Sequence, residues 1–562
     1  MKDSDGYDVV IVGSGAGGGM SAYVLTKRRV KTLIIEAGRH YDPVAEAAMF
    51  QVQADAPLNG AATPDRPFGF YAANIGGWEI EGEPYTRAEG TEFQWLRARM
   101  LGGRTNHWGQ TTLRYGPYDF RTFTRFGLGA DWPIGYEDLA PYYERVERLV
   151  GVFGAAEGIE NSPDSPPGVL LPPPPLHVYE LWVQMVLKRR LGIQMVPNHV
   201  AVLTRPLNGR QACLYATPCV RGCSIRASFQ SPTVLLAPAL ASGCLEIRTN
   251  AMAYELPIDH RGRVSGVRYI DKSTGARRFV RARAVVLAAS ACESARILLN
   301  SRSASFPAGL ANSSGQVGRN LTDSVVTSVR GVIPALCGLP PFNDDGTSAA
   351  HGLVPWWRHR DQRAGKLRFQ TEYQLFAGGG RSMPSVGSFK FILDESGKPI
   401  YGKQLHEVLR HKYGSELWLT SCGGMVPNEH CHCEIDPKVK DQWGIPVLKF
   451  HWRFGAQEIE QARHALTTTS DMITAMGGKP NVVATMSRGG QAIHEVGTAR
   501  MGAKPSESVL NGFSQAWDVP NLYVADGASL ASHACKNPTH TIMALAWRAS
   551  ENLAQRFVRK EV

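Results

Sequence analysis

Three of the ten cysteines in this 562-residue chain crowd into residues 213–223, "CLYATPCVRGC", with the spacing Cx5Cx3C. A tetrahedral zinc site normally takes four ligands, often as CxxC pairs, and the sequence offers no evident fourth. A disulfide would leave one thiol over. Three thiolates, at Cys213, Cys219 and Cys223, are enough for a cuboidal three-iron, four-sulfur cluster, whose negative charge Arg221 and Arg226 would offset. The plainer reading is three reduced structural thiols. The other seven cysteines, among them Cys292, Cys431 and Cys433, are scattered and read as small buried hydrophobes.

A second constellation lies near the N-terminus, in "YDVVIVGSGAGGGMSAYVLTKRRVKTLIIEAG" (7–38). A β-branched run, Val9 to Val12, leads into Gly13, Gly15 and Gly18. A helical stretch follows, then a second strand, Thr32 to Ile35, ending at Glu36. In such a strand–turn–helix unit Gly13 allows the tight turn, Gly15 lets a pyrophosphate approach the backbone, and Gly18 lets helix and strand pack closely. Free N–H groups and the dipole at the helix start favour phosphate. Glu36 stands where a carboxylate would hydrogen-bond a ribose. The motif does not separate NAD from FAD.

These sites need elements to position them. "NLYVADGAS" (521–529) reads as a strand carrying Asp526 at its C-terminal end, where α/β sheets receive ligands. "NPTHTIMALAWRASENLAQRF" (537–557) starts with proline in a first helical turn and continues with Ile542, Leu545, Ala549 and Leu553 at helical spacing. A second helix is expected over 455–478, with Ile459, Ala462, Leu466, Ile473 and Met476 on its apolar face and Gly477 at its end. "CHCEIDPKVKDQWGIPVLKFHW" (431–452) reads as strand, Asp-Pro turn and strand. "PDSPPGVLLPPPPLH" (163–177) is an extended, semi-rigid connector.

Composition narrows the class. A chain that is 43% apolar supports a large core and more than one domain. The net charge of +11 is spread thinly, with only short basic clusters at 26–31 and 186–191, so a nucleic-acid arm is not expected. The N-terminus reads as neither a secretory signal nor a transit peptide. No apolar run approaches the roughly 20 residues of a membrane helix.

Several ordered motifs resemble those of the glucose-methanol-choline (GMC) oxidoreductases. They are "MLGGRTNHWGQ" (100–110), "WPIGYEDLAPYYERVE" (132–147), "AVVLAASACESARILLNS" (284–301), "VGRNLTD" (317–323), "HEVGTARMG" (494–502) and the stretch 521–554. The resemblance implies an α/β fold, α+β overall, with a Rossmann-like FAD-binding domain and a β-sheet substrate-binding domain. The FAD domain would comprise 1–45, 240–325 and 490–562. Residues 46–239 would form a flavin-lid, linker and cysteine-cluster region, and 326–489 the substrate domain.

The resemblance also implies FAD as cofactor, with Gly102, Gly103, Asn106, His107, Asp526 and Thr539 as further cofactor contacts. At His107 both a covalent bond to the flavin and ordinary hydrogen bonding are open. His494 and Asn537 match the family's catalytic pair: the histidine would take the proton of a substrate hydroxyl while the amide fixes the same oxygen. The start of the last helix would face the flavin and favour its reduced, anionic form.

The cysteine spacing resembles the catalytic subunits of bacterial FAD-dependent glucose and glucoside 3-dehydrogenases. That likeness implies a dehydrogenase oxidising C3 of glucosides, with electrons leaving through an iron-sulfur cluster. It implies a small accessory subunit and a cytochrome-type acceptor, with co-export to the periplasm by way of that subunit; a cytoplasmic location is the alternative. An oxygen-using pyranose or glycoside oxidase and a C1-oxidising glucose dehydrogenase are the other enzymatic readings. A flavin-binding electron-transfer module is the non-catalytic one. Trp356, Trp357 and Trp418 are candidates for stacking on a sugar.

Overall fold

The computed structural model describes residues 6–47, 80–215, 219–339, 351–380 and 396–562; the Arg221 side chain lies outside the described residues. The apolar run at the N-terminus forms strand Tyr7–Val12, flanked in parallel by Thr32–Ile35 on one side and Ala276–Leu287 on the other. Leu245–Arg248 extends the parallel set beyond Thr32–Ile35, and Leu522–Val524 joins it alongside Val285–Leu287. Ala276–Leu287 also pairs antiparallel with Gly266–Asp271, which carries Ala251–Glu255. Distant parts of the chain therefore complete one sheet. The C-terminal ends of four of its strands lead into Gly13, Glu36, Ala288 and Asp526, so the α/β rule places a ligand cleft there.

Helix Ala16–Lys27 is buried over nearly its whole length because it is sandwiched between this sheet and the C-terminal helix Thr539–Val558. Tyr23 stands edge-on to Trp547 at 5.9 Å, and Arg28 pairs with Glu551 at 2.6 Å. The approach is so close that only glycine fits. A Cβ on Gly17 would lie 1.7 Å from the Ala525 carbonyl oxygen, and one on Gly18 would lie 2.0 Å from that of Gly13.

A second sheet is antiparallel, in the order Asn481–Ala484, Val325–Val332, Glu416–Gly423, Tyr373–Gly379, Gly352–Val354, Val196–Pro197. Helix Ala456–Ala475 covers one face of it, packing Ala465, Met472 and Ile473 against Val329, Ile333, Leu417 and Leu419. Ile459, expected on that apolar face, is 42% exposed. Glu458 takes the buried position instead, because its carboxylate accepts Gly455 N at 2.9 Å and Val426 N at 3.1 Å.

The third sheet corrects another expectation. Strand His432–Lys440 runs straight through Asp436-Pro437, which forms a bulge where Asp436 accepts Lys438 N and Val439 N. The turn comes later, where Asp441 accepts Trp443 N and Ile445 N before strand Pro446–His451.

Gly18→Ala should lower Tm and the flavin content together, since the clash is with backbone and exceeds the ~1–3 kcal/mol cost of ordinary overpacking. Thermal melts with flavin absorbance would check this; an unchanged melt would contradict the close contact.

Candidate active site

At the strand ends lies a cavity of about 380 Å³ whose wall includes Gly13, Gly15, Glu36, Arg97, His107 and Asp526 at one part, and His494, Asn537 and Thr539 at another. The chemistry of this wall fits an anionic dinucleotide such as FAD. A Cβ on Gly15 would meet nothing within 4 Å, so the backbone is open to a ligand, and no side chain caps the helix that starts there. Arg97, buried in the wall, has Nε and Nη1 without a hydrogen-bond partner, its nearest carboxylates being 3.9 Å away. Gln110 Oε1 is likewise buried without a partner. The C-terminal helix brings its uncapped start, Pro538 and Thr539, to the same cavity, which puts the positive end of its dipole there.

The expected cofactor residues divide into two groups. Gly13, Gly15, Gly103, His107, Asp526 and Thr539 line the cavity, and so does Glu36. The Glu36 carboxylate is already engaged: it accepts Ser14 N at 3.1 Å, the Ser14 hydroxyl, and Gly38 N at 2.7 Å. Asp526 accepts Ala528 N, Ser290 N and the Ser294 hydroxyl, while burial pushes its carboxyl up to about 6. Burial lowers the His107 imidazole to about 4, so the ring is neutral.

Gly18, Gly102 and Asn106 do not line the cavity and serve the packing behind it. Gly102 has φ +87°, and a Cβ there would lie 2.5 Å from Pro232. Asn106 donates to Leu101 O at 2.8 Å.

The structure brings His494 and Asn537 together. Asn537 Nδ2 donates to His494 Nε2 at 3.1 Å, while its Oδ1 accepts Gln374 Nε2 at 3.3 Å. The amide orientation therefore makes His494 Nε2 an acceptor, and the ring proton resides on Nδ1, which faces the Ser324 hydroxyl at 2.8 Å. Ser324 in turn lies 3.3 Å from His533 Nε2 and receives the Cys422 thiol. Asp323 holds the histidine's backbone by accepting His494 N at 2.9 Å. Burial first, and then the Arg104 guanidinium, lower His494 to about 4. The imidazole is thus a neutral base with its lone pair on the cavity side.

A buried ionic cluster stands behind Asn537. The Lys536 ammonium meets Asp119 at 2.8 Å and Glu372 at 3.6 Å, all three side chains being at most 8% exposed. Burial opposes the charge on Lys536, but the Asp119 carboxylate outweighs it and raises the pKa. Lys536–Glu372 and Asn537–Gln374 form two adjacent rungs between the start of the last helix and the second sheet. Sequence reading missed Lys536, Gln374, Ser324 and Arg97. Lys536 adjoins a motif residue and Ser324 follows "VGRNLTD", but nothing in either segment announces the partner across the fold.

The cysteines lie beside this cavity. The short turn Cys219–Arg221 contributes Val220 to the cavity wall. Cys219 and Cys223 are buried and Cys213 is partly so. Cys213 Sγ accepts Tyr215 N at 3.3 Å and Cys223 Sγ accepts Ser228 N at 3.5 Å, a setting in which N–H groups face sulfur as they do around cluster-bound thiolates. Burial, and then the neighbouring Cys223, push the Cys213 thiol up. Deprotonation would accompany metal binding. Three thiols match in number and chemistry what a three-iron cluster would need.

The tryptophans do not meet their expectation. Among the described residues of the cavity wall Trp356, Trp357 and Trp418 are absent. Trp356 is packed into the core against Phe369 and Tyr373, and Trp418 lies 42% exposed on the second sheet.

Geometry and sequence define a class. The GMC oxidoreductase pattern matches residues 8–326 and 427–546, and the chain belongs to this family of flavoproteins that act on CH–OH groups. It is 30% identical to a 2-methyl-1,2-propanediol dehydrogenase of Mycolicibacterium austroafricanum, over 99% of this chain and 96% of that protein. It is 26% identical to the large subunit of a fructose dehydrogenase of Gluconobacter japonicus, over 97% of each. Pyridoxine 4-oxidase from Mesorbium loti has the same fold, with a TM-score of 0.59 at 16% identity, over 97% of this chain and 99% of that one. No described helix is long and apolar enough to cross a membrane.

Replacing Lys536 with Met removes the cation while leaving two buried carboxylates, and should destabilise the fold by ~3–5 kcal/mol. Denaturant unfolding would measure it; a loss below 1 kcal/mol would mean that Arg125 and His359, at 3.8 and 3.6 Å from Glu372, carry the balance.

Proposed function

We propose that this chain is an FAD-dependent sugar dehydrogenase oxidising a pyranoside hydroxyl, at C3 of glucosides, with electrons passed to an external acceptor. The observation that carries this reading is the unprotonated His494 Nε2 held 3.1 Å from the Asn537 amide in the wall of the cavity that begins at the glycine turn. Bound FAD supplies the acceptor for the hydride leaving the carbinol carbon. His494 Nε2 takes the hydroxyl proton, and Asn537 Nδ2 turns from the imidazole to the substrate oxygen and fixes its direction. Gln374, donating to Asn537 Oδ1, keeps the Nδ2 end of that amide on the side of the imidazole and the substrate. Ser324, facing Nδ1, holds the imidazole in the tautomer with its lone pair on Nε2.

Cys213, Cys219 and Cys223 would hold a three-iron, four-sulfur cluster, and such a centre beside FAD supplies single-electron transfer. Val220 in the cavity wall supports this, because the thiol loop then borders the space that FAD would occupy. The likeness to a dehydrogenase large subunit supports work in a complex, with an accessory subunit and a cytochrome-type acceptor, in the periplasm. The parallel sheet would carry the FAD and the second sheet the sugar.

His494→Ala should abolish flavin reduction by glucosides in anaerobic mixing while FAD stays bound; reduction at the wild-type rate would remove the histidine from the mechanism. The pH dependence follows from the lowered His494 pKa. The base form persists as pH falls below the ordinary 6.5 and is lost only through about 4, so kcat/KM should stay level across the mildly acidic range. An acid limb centred near 6.5, with FAD retained, would contradict the assignment. Iron and acid-labile sulfide should be present in anaerobically purified protein and fall in Cys219→Ser. Iron-free wild-type protein producing hydrogen peroxide would make the chain an oxidase.

A further inference from the structure

Outside the cavity, His177, Glu180 and His351 converge from the end of the proline-rich connector, the first turn of helix Val178–Val186 and the residue before strand Gly352–Val354. One ligand atom from each lies within 4.8 Å of the others. Glu180 is fully buried and His351 is 3% exposed. Among the described residues no lysine or arginine pairs with Glu180, whose ion-pair contact is His177 Nδ1 at 2.9 Å. Its second oxygen accepts Gly352 N at 2.8 Å, which fixes the carboxylate. The His177 and His351 rings stack at 4.2 Å, so one of them must turn out of the stack for both in-plane lone pairs to meet a single ion.

His351 is oriented from behind. One ring nitrogen bonds the Pro175 backbone, and since proline offers only its carbonyl, that nitrogen carries the proton. In the neutral ring the lone pair is then on the other nitrogen, the tautomer that an outer hydrogen bond gives a metal-ligating histidine.

We propose that His177, Glu180 and His351 bind one divalent transition-metal ion, for which zinc has the best-suited chemistry. Two imidazole nitrogens and one carboxylate oxygen are a usual donor set for zinc, with a fourth position for water. The ion takes the place of the proton between His177 Nδ1 and Glu180, and that proton leaves to solvent. A buried carboxylate without a lysine or arginine thereby gains a cation. The site braces the back of the thiol loop: the Tyr215 ring stands edge-on to His351 at 6.2 Å while its N–H holds Cys213, and Phe153 contacts both His351 and the Cys219 cluster. It is separate from any iron in that loop.

The test uses FAD-loaded protein, stripped with a chelator and titrated with zinc chloride, reading bound zinc by elemental analysis and Tm by calorimetry. The wild type should retain about one zinc per chain after gel filtration and show a Tm that rises with zinc concentration. Both effects should be lost in His351→Ala and in Glu180→Gln, with the FAD content unchanged. They should persist in His451→Ala, which alters the exposed cross-strand group His432, Glu434 and His451. Absence of zinc retention or of a Tm shift in the wild type overturns the proposal without reference to any variant. Zinc lost in His451→Ala but kept in the other two also overturns it. Counting iron separately keeps the result independent of the cluster reading.

Discussion

The contact between helix Ala16–Lys27 and the strands around it is the constraint on which the rest depends. Backbone meets backbone there: the Gly17 Cα faces the Ala525 carbonyl, and a Cβ on Gly13 would lie 2.3 Å from the Ala288 carbonyl. These contacts join the first strand, the strand returning at Ala276–Leu287 and the C-terminal strand, three parts of the chain with no sequence proximity. The strand ends that shape the cavity, and the start of the last helix beside it, take their positions from this junction. A change of one methyl group there acts on elements hundreds of residues apart.

Across the cavity the positioning is polar. Asn537 stands just before the last helix, Gln374 in the second sheet with Glu372 just before its strand Tyr373–Gly379, and Asp119 in a short turn before helix Thr122–Phe126. The paired rungs from Lys536 and Asn537 therefore couple the two sheets at the place where an alcohol would be activated. A buried ionic contact is costly to assemble, because each charge must be desolvated, and it tolerates little displacement once formed. That rigidity suits an amide whose orientation decides which histidine nitrogen is the base.

The glycine turn, the two helices 455–478 and 537–557, and the place of Glu36, His494 and Asn537 in the cavity wall were legible in the sequence because each has a local signature: a strand before glycines, an acid at the right distance, a motif, or apolar residues at helical spacing. What was not legible depends on contacts across the fold. Ile459 fits the helical period, yet Glu458 is buried because it caps its own helix and binds Val426 N. Asp436-Pro437 looks like a turn, but Asp436 satisfies two backbone N–H groups within a bulged strand, and the chain reverses only after Lys440. Trp356 and Trp357 resemble sugar platforms in composition but lie within or against the core of the second sheet. Arg97 shows no motif at all; its importance appears only as unpartnered nitrogen in a cavity wall.

The order in which strands enter the parallel sheet bears on biosynthesis. Asn521, at the entrance to the last strand, donates from its side chain to Val264 O and Arg283 O, contacts spanning 257 and 238 residues. At ~5–20 residues per second, a ribosome needs roughly half a minute to two minutes to expose that strand. In roughly the second half of that interval Val285–Leu287 has one unfilled edge, and the cavity lacks the wall that Asp526 and the last helix provide. Until the last strand is made the cavity is incomplete, and the open sheet edge is the part of the nascent chain most in need of cover.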